Sequence, residues 1–407
     1  MENIMKVQQT VEIQQRCQEL WEHFLIASIC NDLLLGAVSD HLYLENMETL
    51  VESVDKKEKL EHLIDAITAC GFGEDIREVA YQLYEGENPI APYNELTSIW
   101  NPEDFMEEVF DKISKHIHYY SYESITDNPY YKNVKLDTTT CGAITLSTKD
   151  TLPYEFFQAY YQTYDKSNPF FYAKLGFFDR KIYFPALLEN GNVWMSVVVS
   201  EIESMQKDID LAHGKVITYG LGLGYYAFMV AAKENVESVT IIEKNPDVIS
   251  LFKDKILIQF PHKDKIHIIE ADALEFVKQQ KDGEYDIAFS DFWGGYYDGV
   301  SLYMQFMPLT ARFHKTIHTY WIESCFMEYF FRPVVMKVLM KLIEGKEVEL
   351  PVRQYEVEQI QVAFEKYLLK EEIIIHSAAD IDALLSPTNM ILLMRSFAIS
   401  YQKQFQN

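Results

Sequence analysis

Between about residue 194 and residue 325, short apolar segments alternate regularly with longer amphipathic ones, and this alternation limits the choice of fold more than any other feature. The apolar segments have the length of buried strands. The predicted strands are Val216–Tyr219, Val239–Ile242, Ile266–Ile269, Asp286–Ser290 and Thr319–Ile322. The predicted helices cover 196–212, about 225–233, Pro246 to about Phe260, Ala273–Gln280 and about 301–314. Strands joined by helices of this length imply right-handed crossovers, so we predict an α/β fold with a doubly wound, mainly parallel sheet.

The residues before and after this region follow other patterns. In 1–120 the apolar residues recur at helical spacing, first from Ile13 to Ala27 and again in Leu60–Ile67 and Ile76–Leu83. Between 121 and 190, prolines separate short extended candidates. These candidates are Val134–Leu136, Ala143–Leu146 and Lys181–Phe184. Beyond 325, the segments Val334–Ile343 and Val357–Leu369 have a helical pattern.

Four regions follow from these patterns. We predict a helical N-terminal domain at 1–120, a small β-containing segment at 121–190, the α/β domain at 191–325 and a mostly helical C-terminal extension at 326–407. The helical N-terminal domain is a candidate to cap a substrate site or to form a homodimer.

The charge of the chain bears on its partners and its location. The 62 acidic and 36 basic residues give a formal net charge of −26, which repels phosphate backbones and anionic lipid, so we expect neither nucleic acid nor membrane as a partner. The same acidity suits a cationic substrate. The five cysteines are scattered and form no C-x-x-C pair, which argues against a disulfide framework and a structural zinc site. With no apolar signal core and no apolar run of membrane-spanning length, we expect a cytoplasmic protein.

A glycine-rich loop, Gly220-Leu221-Gly222-Leu223-Gly224, directly follows the first predicted strand and opens the next helix. Glycines permit a sharp turn and let a ligand approach the backbone without a Cβ in the way. The N–H groups at the start of the following helix are donors for a polar or anionic ligand. The loop therefore marks a candidate binding site, although a packing turn could use the same glycines.

Acidic residues follow the next three strands. Glu243 ends the second strand, 23 residues after Gly220, where an open α/β sheet presents a carboxylate to the two hydroxyls of a ribose. Asp272 follows the third strand and could accept a hydrogen bond from an adenine amino group, and Asp291 follows the fourth. Because carboxyl ends of parallel strands meet at one edge of the sheet, we expect these residues to line one crevice.

In these segments the sequence resembles the class I, Rossmann-like methyltransferases that use S-adenosylmethionine (SAM). The resemblance runs through VITYGLGLGYYAFM, VTIIEKNPDVI, IHIIEADALEF and YDIAFSDFW and covers about a third of the chain. It implies that Gly220, Gly222 and Gly224, with Leu221, hold the amino-acid end of SAM. It implies that Glu243, next to Lys244, holds the ribose and that Asp272 and Ala273 recognise adenine. Asp291, Phe292 and Trp293 would line the transfer site.

The segment FPALLENGNVWMSVVVSEIESM, ahead of the glycine loop, resembles the spermidine-synthase-like branch of this superfamily. The glycine loop lacks the acidic residue that aminopropyltransferases usually carry there, and DFWGGYYDG lacks both their acidic pattern and the Asn-Pro-Pro-aromatic motif of amino-methylating enzymes. The expected function is SAM-dependent methyl transfer to a small molecule or a protein side chain. Aminopropyl transfer from decarboxylated SAM is an alternative, and so is a SAM-binding protein without turnover.

A nicotinamide-binding domain is a further alternative, since Glu243 would serve its ribose equally well. Its G-x-G-x-x-G motif places a third glycine at position 225, where this chain has Tyr225. Metal chemistry has little support, because His116 with His118, and His314 with His318, lack a third ligand nearby in sequence.

For the transfer step, Asp291 is the predicted residue that orients or deprotonates the acceptor, with Asp298 a weaker candidate. Four aromatic residues are predicted to form a wall of this site that could attract a cation. They are Phe292, Trp293, Tyr296 and Tyr297.

Overall fold

The computed structural model describes residues 5–39, 112, 115–160, 168–348, 350 and 355–405. The periodic runs predicted at Leu60–Ile67 and Ile76–Leu83 lie outside the described residues. The strands are β1 Lys6–Val7, β2 Ile117–Tyr119, β3 Thr139–Cys141, β4 Ile144–Thr151, β5 Phe157–Ala159, β6 Lys174–Phe177, β7 Ile182–Glu189, β8 Asn192–Ser196, β9 Gly214–Tyr219, β10 Val236–Glu243, β11 Ile266–Glu270, β12 Ile287–Ser290, β13 Ile317–Tyr320 and β14 Ile374–Ile375.

Helices make up most of the remaining described residues. The α-helices are α1 Val11–Ser39, α2 Tyr122–Thr126, α3 Pro129–Asn133, α4 Val199–Leu211, α5 Tyr225–Ala231, α6 Pro246–Leu251, α7 Ala273–Gln279, α8 Tyr296–Thr310, α9 Glu323–Phe326, α10 Arg332–Glu344, α11 Tyr355–Leu368, α12 Ala378–Leu385 and α13 Pro387–Phe405. The single helix predicted from Pro246 to Phe260 changes its winding after Leu251. It continues as a π-helix, Phe252–Ile256, and a 3₁₀ turn, Leu257–Gln259.

The chain divides into two compact units, and each takes its residues from separate parts of the sequence. One unit draws on Met1–Tyr120, Tyr154–Asp179 and Ser324–Phe397. The other, called here the sheet unit, draws on Ser121–Pro153, Arg180–Glu323 and Ala398–Asn407. The region predicted as one β-containing segment, 121–190, thus contributes to both units, and the division into four regions stays a prediction.

A five-stranded parallel sheet forms the centre of the sheet unit. Its strands lie in the order β11-β10-β9-β12-β13, and each neighbouring pair is parallel. The chain therefore starts in the middle of the sheet, builds outward to one edge and then returns to build the other. The predicted α/β class with parallel strands is confirmed. Its strands are rich in buried, β-branched apolar residues such as Val216, Ile217 and Ile241. Residues of this kind are typical of parallel strands, which are shielded from water.

The carboxyl ends of β9 and β12 meet where the direction of building reverses. Tyr219 pairs with Ser290 on one side and with Ile242 of β10 on the other. An open α/β sheet has a crevice at this reversal, since the helices after the two central strands diverge. The loops that follow β9, β10 and β12 consequently open into the same space.

An antiparallel sheet of the sheet unit, β3-β4-β7-β8, precedes the parallel one in sequence. The candidates at Ala143–Leu146 and Lys181–Phe184 correspond to β4 and β7, which both extend well beyond their predicted ends. The prediction of a strand at Val134–Leu136 is wrong. Val134 caps the C-terminus of α3, and its N–H donates to the carbonyl of Tyr130, so this backbone closes a helix instead of joining a ladder.

The other unit has its own helical core. α1 packs against α10 and α12, and the helices predicted from Val334 and Val357 are observed as α10 and α11. Arg332 is fully buried at the start of α10, where its guanidinium donates to Glu328 and to the carbonyl of Pro169. A buried charge needs such partners to offset the loss of hydration.

No single helix in the described part of the chain is long and apolar enough to cross a membrane. Ala378–Leu385 and Pro387–Lys403 reach that length and composition only as a pair, with a bend of 65° between them.

Replacement of Gly220 by alanine is expected to destabilise the protein strongly. The residue has φ of +104°, and a Cβ there would overlap the carbonyl oxygen of Asp291, a backbone atom that cannot rotate away. Strain and overlap together should cost at least about 2 kcal/mol of unfolding free energy, measured by urea titration. Gly191→Ala is the control, because Gly191 has φ of +84° but no atom within 4 Å of its Cβ position. Equal losses in the two variants would contradict the steric explanation.

Candidate active site at the carboxyl edge of the parallel sheet

A cavity of about 400 Å³ lies at the carboxyl ends of β9, β10, β11 and β12, within the sheet unit. The predicted cofactor-binding residues and the first catalytic candidate, Asp291, all line it. These residues are Gly220, Leu221, Gly222, Gly224, Glu243, Lys244, Asp272, Ala273, Asp291, Phe292 and Trp293. Its volume is in the range of small-molecule sites, which are typically about 300–1,000 Å³. The topology brings these residues together, since all of them follow parallel strands of one sheet.

The glycine loop turns sharply at three positions, with φ of +104° at Gly220, +51° at Gly222 and +73° at Gly224. A Cβ at these positions would meet protein atoms: the Asp291 carbonyl, the Met195 sulfur and the Phe252 ring respectively. All three glycines have positive φ, as the predicted sharp turn requires. A Cβ at each position would in addition overlap neighbouring atoms of the sheet unit, so close packing is a second reason for these glycines.

Glu243 is buried at the end of β10 and fastens the glycine loop to the next loop. One carboxylate oxygen accepts a hydrogen bond from the Leu221 N–H at 3.2 Å, and the other accepts from the Asn245 N–H at 2.8 Å. Each oxygen has a second lone pair, so the carboxylate can still accept from a ligand in the cavity. Glu243 is shielded from water, since only 7% of the residue is exposed.

Asp272 is exposed and caps the N-terminus of α7, where one of its oxygens accepts from the Glu275 N–H at 3.2 Å. This is the ordinary structural role of an aspartate before a helix. Its second oxygen and the exposed Lys244 remain at the rim of the cavity, beside the buried Ala273.

Asp291, Phe292 and Trp293 follow β12 and form the wall beside the glycine loop. The Phe292 ring packs on Trp293 with centroids 5.1 Å apart and on Phe306 of α8 at 5.0 Å. Phe292 therefore both packs against its aromatic neighbours and lines the cavity.

The predicted wall is wrong at its far end. Tyr296 and Tyr297 begin α8 and are not among the residues that line the cavity, and neither is Asp298. An oxygen of Asp298 accepts from the Gly294 N–H at 2.8 Å, so this carboxylate fastens the loop before α8.

Several lining residues were not predicted from sequence. They are chiefly aromatic or acidic, namely Trp194 of β8, Glu201 of α4, Tyr226 of α5 and Trp321 after β13. The indole N–H of Trp321 donates to the Ser204 hydroxyl at 2.8 Å, which ties the end of β13 to α4. The segment that contains Trp194 and Glu201 stood out in the sequence for its family resemblance, but its side chains carried no motif of their own.

Three carboxyls cluster at and behind this wall. Burial and the charge of Asp291 hold the pKa of Glu201 well above its usual range. Burial and the charge of Asp208 raise the pKa of Asp291 to about 7. Asp208 lies on α4 next to Thr319, and burial raises its pKa to about 6. Carboxyls so placed cannot all ionise at neutral pH, because burial and like charge both oppose it.

The hydroxyl of Tyr226 is buried and has no hydrogen-bond partner among the described residues. Its ring stacks on Phe289 of β12 with centroids 4.1 Å apart, and only 5% of the residue is exposed. A buried polar atom without a partner costs free energy. A ligand in the cavity that Tyr226 lines is a natural source of the missing partner.

Tyr225, which occupies the position of the third glycine in a nicotinamide motif, is buried at the start of α5. Its ring packs edge-on against Tyr130 at 5.5 Å, and its hydroxyl accepts from the Asn128 amide. A large, well-packed side chain at this position indicates a site for a ligand other than a dinucleotide.

Within the described residues, no group of three or more His, Cys, Asp and Glu side chains is placed to hold a metal ion. The ring of His116 instead stacks on Tyr172 with centroids 4.9 Å apart. Burial lowers the pKa of His116 to about 4.

No protein-family model matches the sequence, and no curated protein matches it either. Among solved structures, the chain is similar to a spermidine synthase in complex with the transition-state analogue AdoDATO (18% identity, 40% of this chain, 64% of that chain, TM-score 0.27). It is similar to spermidine synthase from Thermotoga maritima (16%, 43%, 68%, 0.28) and to precorrin-8W decarboxylase from Methanobacterium thermoautotrophicum (20%, 32%, 69%, 0.25). The chain spans less than two thirds of the length of the first of these, and TM-scores this low carry no conclusion about its activity.

Glu243→Ala is expected to loosen the glycine loop. The change removes both acceptors for the Leu221 and Asn245 N–H groups, which should cost about 2–4 kcal/mol of unfolding free energy and speed hydrogen exchange at Leu221. Glu270→Ala is the matched control, since Glu270 ends the neighbouring strand β11 but is exposed. Unchanged exchange at Leu221 would show that Glu243 does not hold the loop.

Asp208→Asn is expected to stabilise the protein at high pH only. With its pKa raised to about 6, the folded state holds the Asp208 proton more tightly than the unfolded state, so stability falls as pH rises from about 4 through 6. Asparagine cannot ionise. The gain in unfolding free energy should grow from near zero at pH 4 to about 3 kcal/mol at pH 8. Asp210→Asn, at an exposed position of the same helix, should show no such trend, and a gain independent of pH would refute the buried charge as its cause.

Proposed function

We propose that this chain is a SAM-dependent methyltransferase with a small-molecule acceptor. The observation that supports this most is the meeting of the glycine loop, Glu243, Asp272 and Asp291 around one cavity. A SAM site needs a turn for the amino-acid end, a carboxylate for the ribose and a separate wall for the acceptor. We also propose that helices cover both faces of the parallel sheet and that the protein is cytoplasmic.

The residues present fit a SAM-type ligand on two structural grounds. Glu243 is held rigidly by two backbone N–H groups and keeps lone pairs for ribose hydroxyls. The buried hydroxyl of Tyr226 lacks a partner, which a polar ligand group in the cavity can supply. Gly220, Leu221, Gly222 and Gly224 would surround the amino-acid end. Lys244, Asp272 and Ala273 would lie at the adenine and ribose end.

When bound, SAM supplies a methyl group already activated by its sulfonium, so alignment of the acceptor is the main task of the protein. Phe292 and Trp293 exclude water and position the acceptor. Asp291 accepts the acceptor's proton as the new bond to the methyl carbon forms. The electron pair of the broken carbon–sulfur bond stays on sulfur, which leaves a neutral thioether.

The acceptor side of the cavity favours a cation. Glu189, Glu201 and Asp291 are among the residues that line the cavity, and Lys244 is the single cation among the described lining residues. Trp194, Trp293 and Trp321 add aromatic faces, which attract cations when solvent is excluded. A small amine meets both conditions better than a nucleic acid does, because phosphates would be repelled. A protein side chain is the alternative acceptor, and we propose in addition that the chain forms a homodimer.

Aminopropyl transfer is the second candidate, and the same acidic lining favours it. An amino-acid tail that lacks its carboxylate carries more positive charge than that of SAM. A protein that binds SAM without turnover would keep the ligand site but would need no proton acceptor at Asp291.

The experiment is a thermal scan with SAM, S-adenosylhomocysteine, decarboxylated SAM and NAD in parallel. A ligand at about 100–1,000 times its Kd adds roughly 3–4 kcal/mol of stability by mass action, so the first two should raise Tm clearly while NAD should not. Asp291→Asn should keep the shift but lose methyl transfer to an amine panel, whereas a pure binder would lose nothing measurable. A shift with decarboxylated SAM alone would favour aminopropyl transfer. No shift with any SAM species refutes the proposal.

A further inference from the structure

The helix α4 brings a second carboxyl to the wall that carries Asp291. Glu201 lies in the first turn of α4, lines the cavity and interacts electrostatically with Asp291. Asp208 lies seven residues further along α4, two turns on and on the same side of the helix. Its charge also acts on Asp291, although Asp208 itself is not among the lining residues. Asp291 thus interacts with one carboxyl at the cavity and one behind it.

The groups around these carboxyls do not neutralise them. The Thr319 hydroxyl and Lys207, which is exposed to solvent, favour the ionised form of Asp208, whereas the negative charge of Glu323 opposes it. One oxygen of Glu323 accepts from the Tyr303 hydroxyl at 2.6 Å. No ion pair to Glu201 or Asp291 is found within the described ranges. Two carboxyls in such surroundings are most stable with one proton between them.

Tyr226 independently indicates that a ligand belongs beside this pair. It lines the cavity on α5, is 5% exposed, and has a buried hydroxyl with no partner in the described part of the chain. Burial and the charge of Asp208 raise the pKa of this hydroxyl. A polar ligand group next to Asp291 would give the hydroxyl an acceptor or a donor.

We propose that Glu201 and Asp291, on one wall of the cavity, hold one proton between them and together form the subsite that accepts a protonated amine and its proton. Residue Glu201 is the new element, since nothing in the sequence motifs assigns it a role. The inference rests on the proposed function only for the identity of the amine as acceptor, because the shared proton is a property of the free protein.

Binding and proton transfer are linked in this pair. An arriving ammonium group stabilises the second negative charge, so the shared proton leaves to solvent and both carboxyls become ionised. One carboxylate then takes a proton from the ammonium nitrogen, whose freed lone pair forms the bond to the transferred carbon. The new ammonium product carries the positive charge that the sulfonium loses, and the pair again holds one proton.

The first test needs no ligand. Carboxyl carbon NMR on protein with labelled Asp and Glu follows titration between about pH 4 and pH 9, and the Asp291 signal is the one that Asp291→Asn removes. The signal should titrate near neutral pH in the wild type and with a lower midpoint in Glu201→Gln, because Asp291 then no longer holds a proton jointly with a second carboxyl. Asp210→Asn, on the same helix, should leave it unchanged. An unchanged midpoint in Glu201→Gln, with a fall only in Asp208→Asn, would assign the effect to Asp208 and overturn the pair.

The second test measures protons. Protein saturated with S-adenosylhomocysteine is titrated with n-butylammonium chloride by calorimetry, in two buffers of different ionisation enthalpy. Near about pH 6.5, wild type should release roughly half to one proton per bound amine, and Glu201→Gln less than about a fifth. n-Butanol should bind at least about tenfold more weakly than the amine.

The outcomes separate the two proposals. Failure of S-adenosylhomocysteine to bind would refute the proposed function, while the NMR titration would still decide whether the pair exists. Amine binding without proton release, equal release in Glu201→Gln, or no amine binding to the loaded wild type would each overturn the amine subsite.

Discussion

The site depends on a contact between two stretches of backbone. Gly220, at the end of the first strand, lies so close to the carbonyl of Asp291, at the end of the fourth, that no side chain fits between them. These strands are neighbours only because the sheet is built outward in two directions from its centre. The contact therefore joins the glycine loop to the acidic wall, and each of these could bind little by itself.

Glu243 supports this contact from the other side. Its two backbone hydrogen bonds hold the glycine loop against the loop after β10, so the carboxylate has a structural role and a free acceptor capacity together. The wall beyond it carries a cost in free energy, because the half-buried carboxyls of Glu201, Asp208 and Asp291 interact, among the residues that the structure describes, with no cation that neutralises them. A free-energy cost of this kind is typical of sites that bind or transform a charged ligand, because the charge of the bound ligand offsets it.

The sequence predicted the parallel strands and the residues at their ends well, because a strand-and-helix alternation fixes which ends share an edge. It predicted Gly220, Glu243, Asp272 and Asp291 for the same reason. Glu201, Trp194 and Trp321 were missed, since no local pattern tells which turn of α4 or which strand of the antiparallel sheet faces the cavity. Tyr296 and Tyr297 were placed in the wall wrongly, because α8 begins earlier than its periodicity suggested and includes both residues in its first turn, outside the cavity lining.

The central claim is that SAM binds in the cavity at the carboxyl edge of the parallel sheet. Ultraviolet cross-linking of methyl-labelled SAM, followed by mass spectrometry of the peptides, tests it most directly. The label should appear on peptides that contain the glycine loop or Asp291, Phe292 and Trp293, and excess S-adenosylhomocysteine should suppress it. Label confined to other peptides, or unaffected by the competitor, would contradict the account.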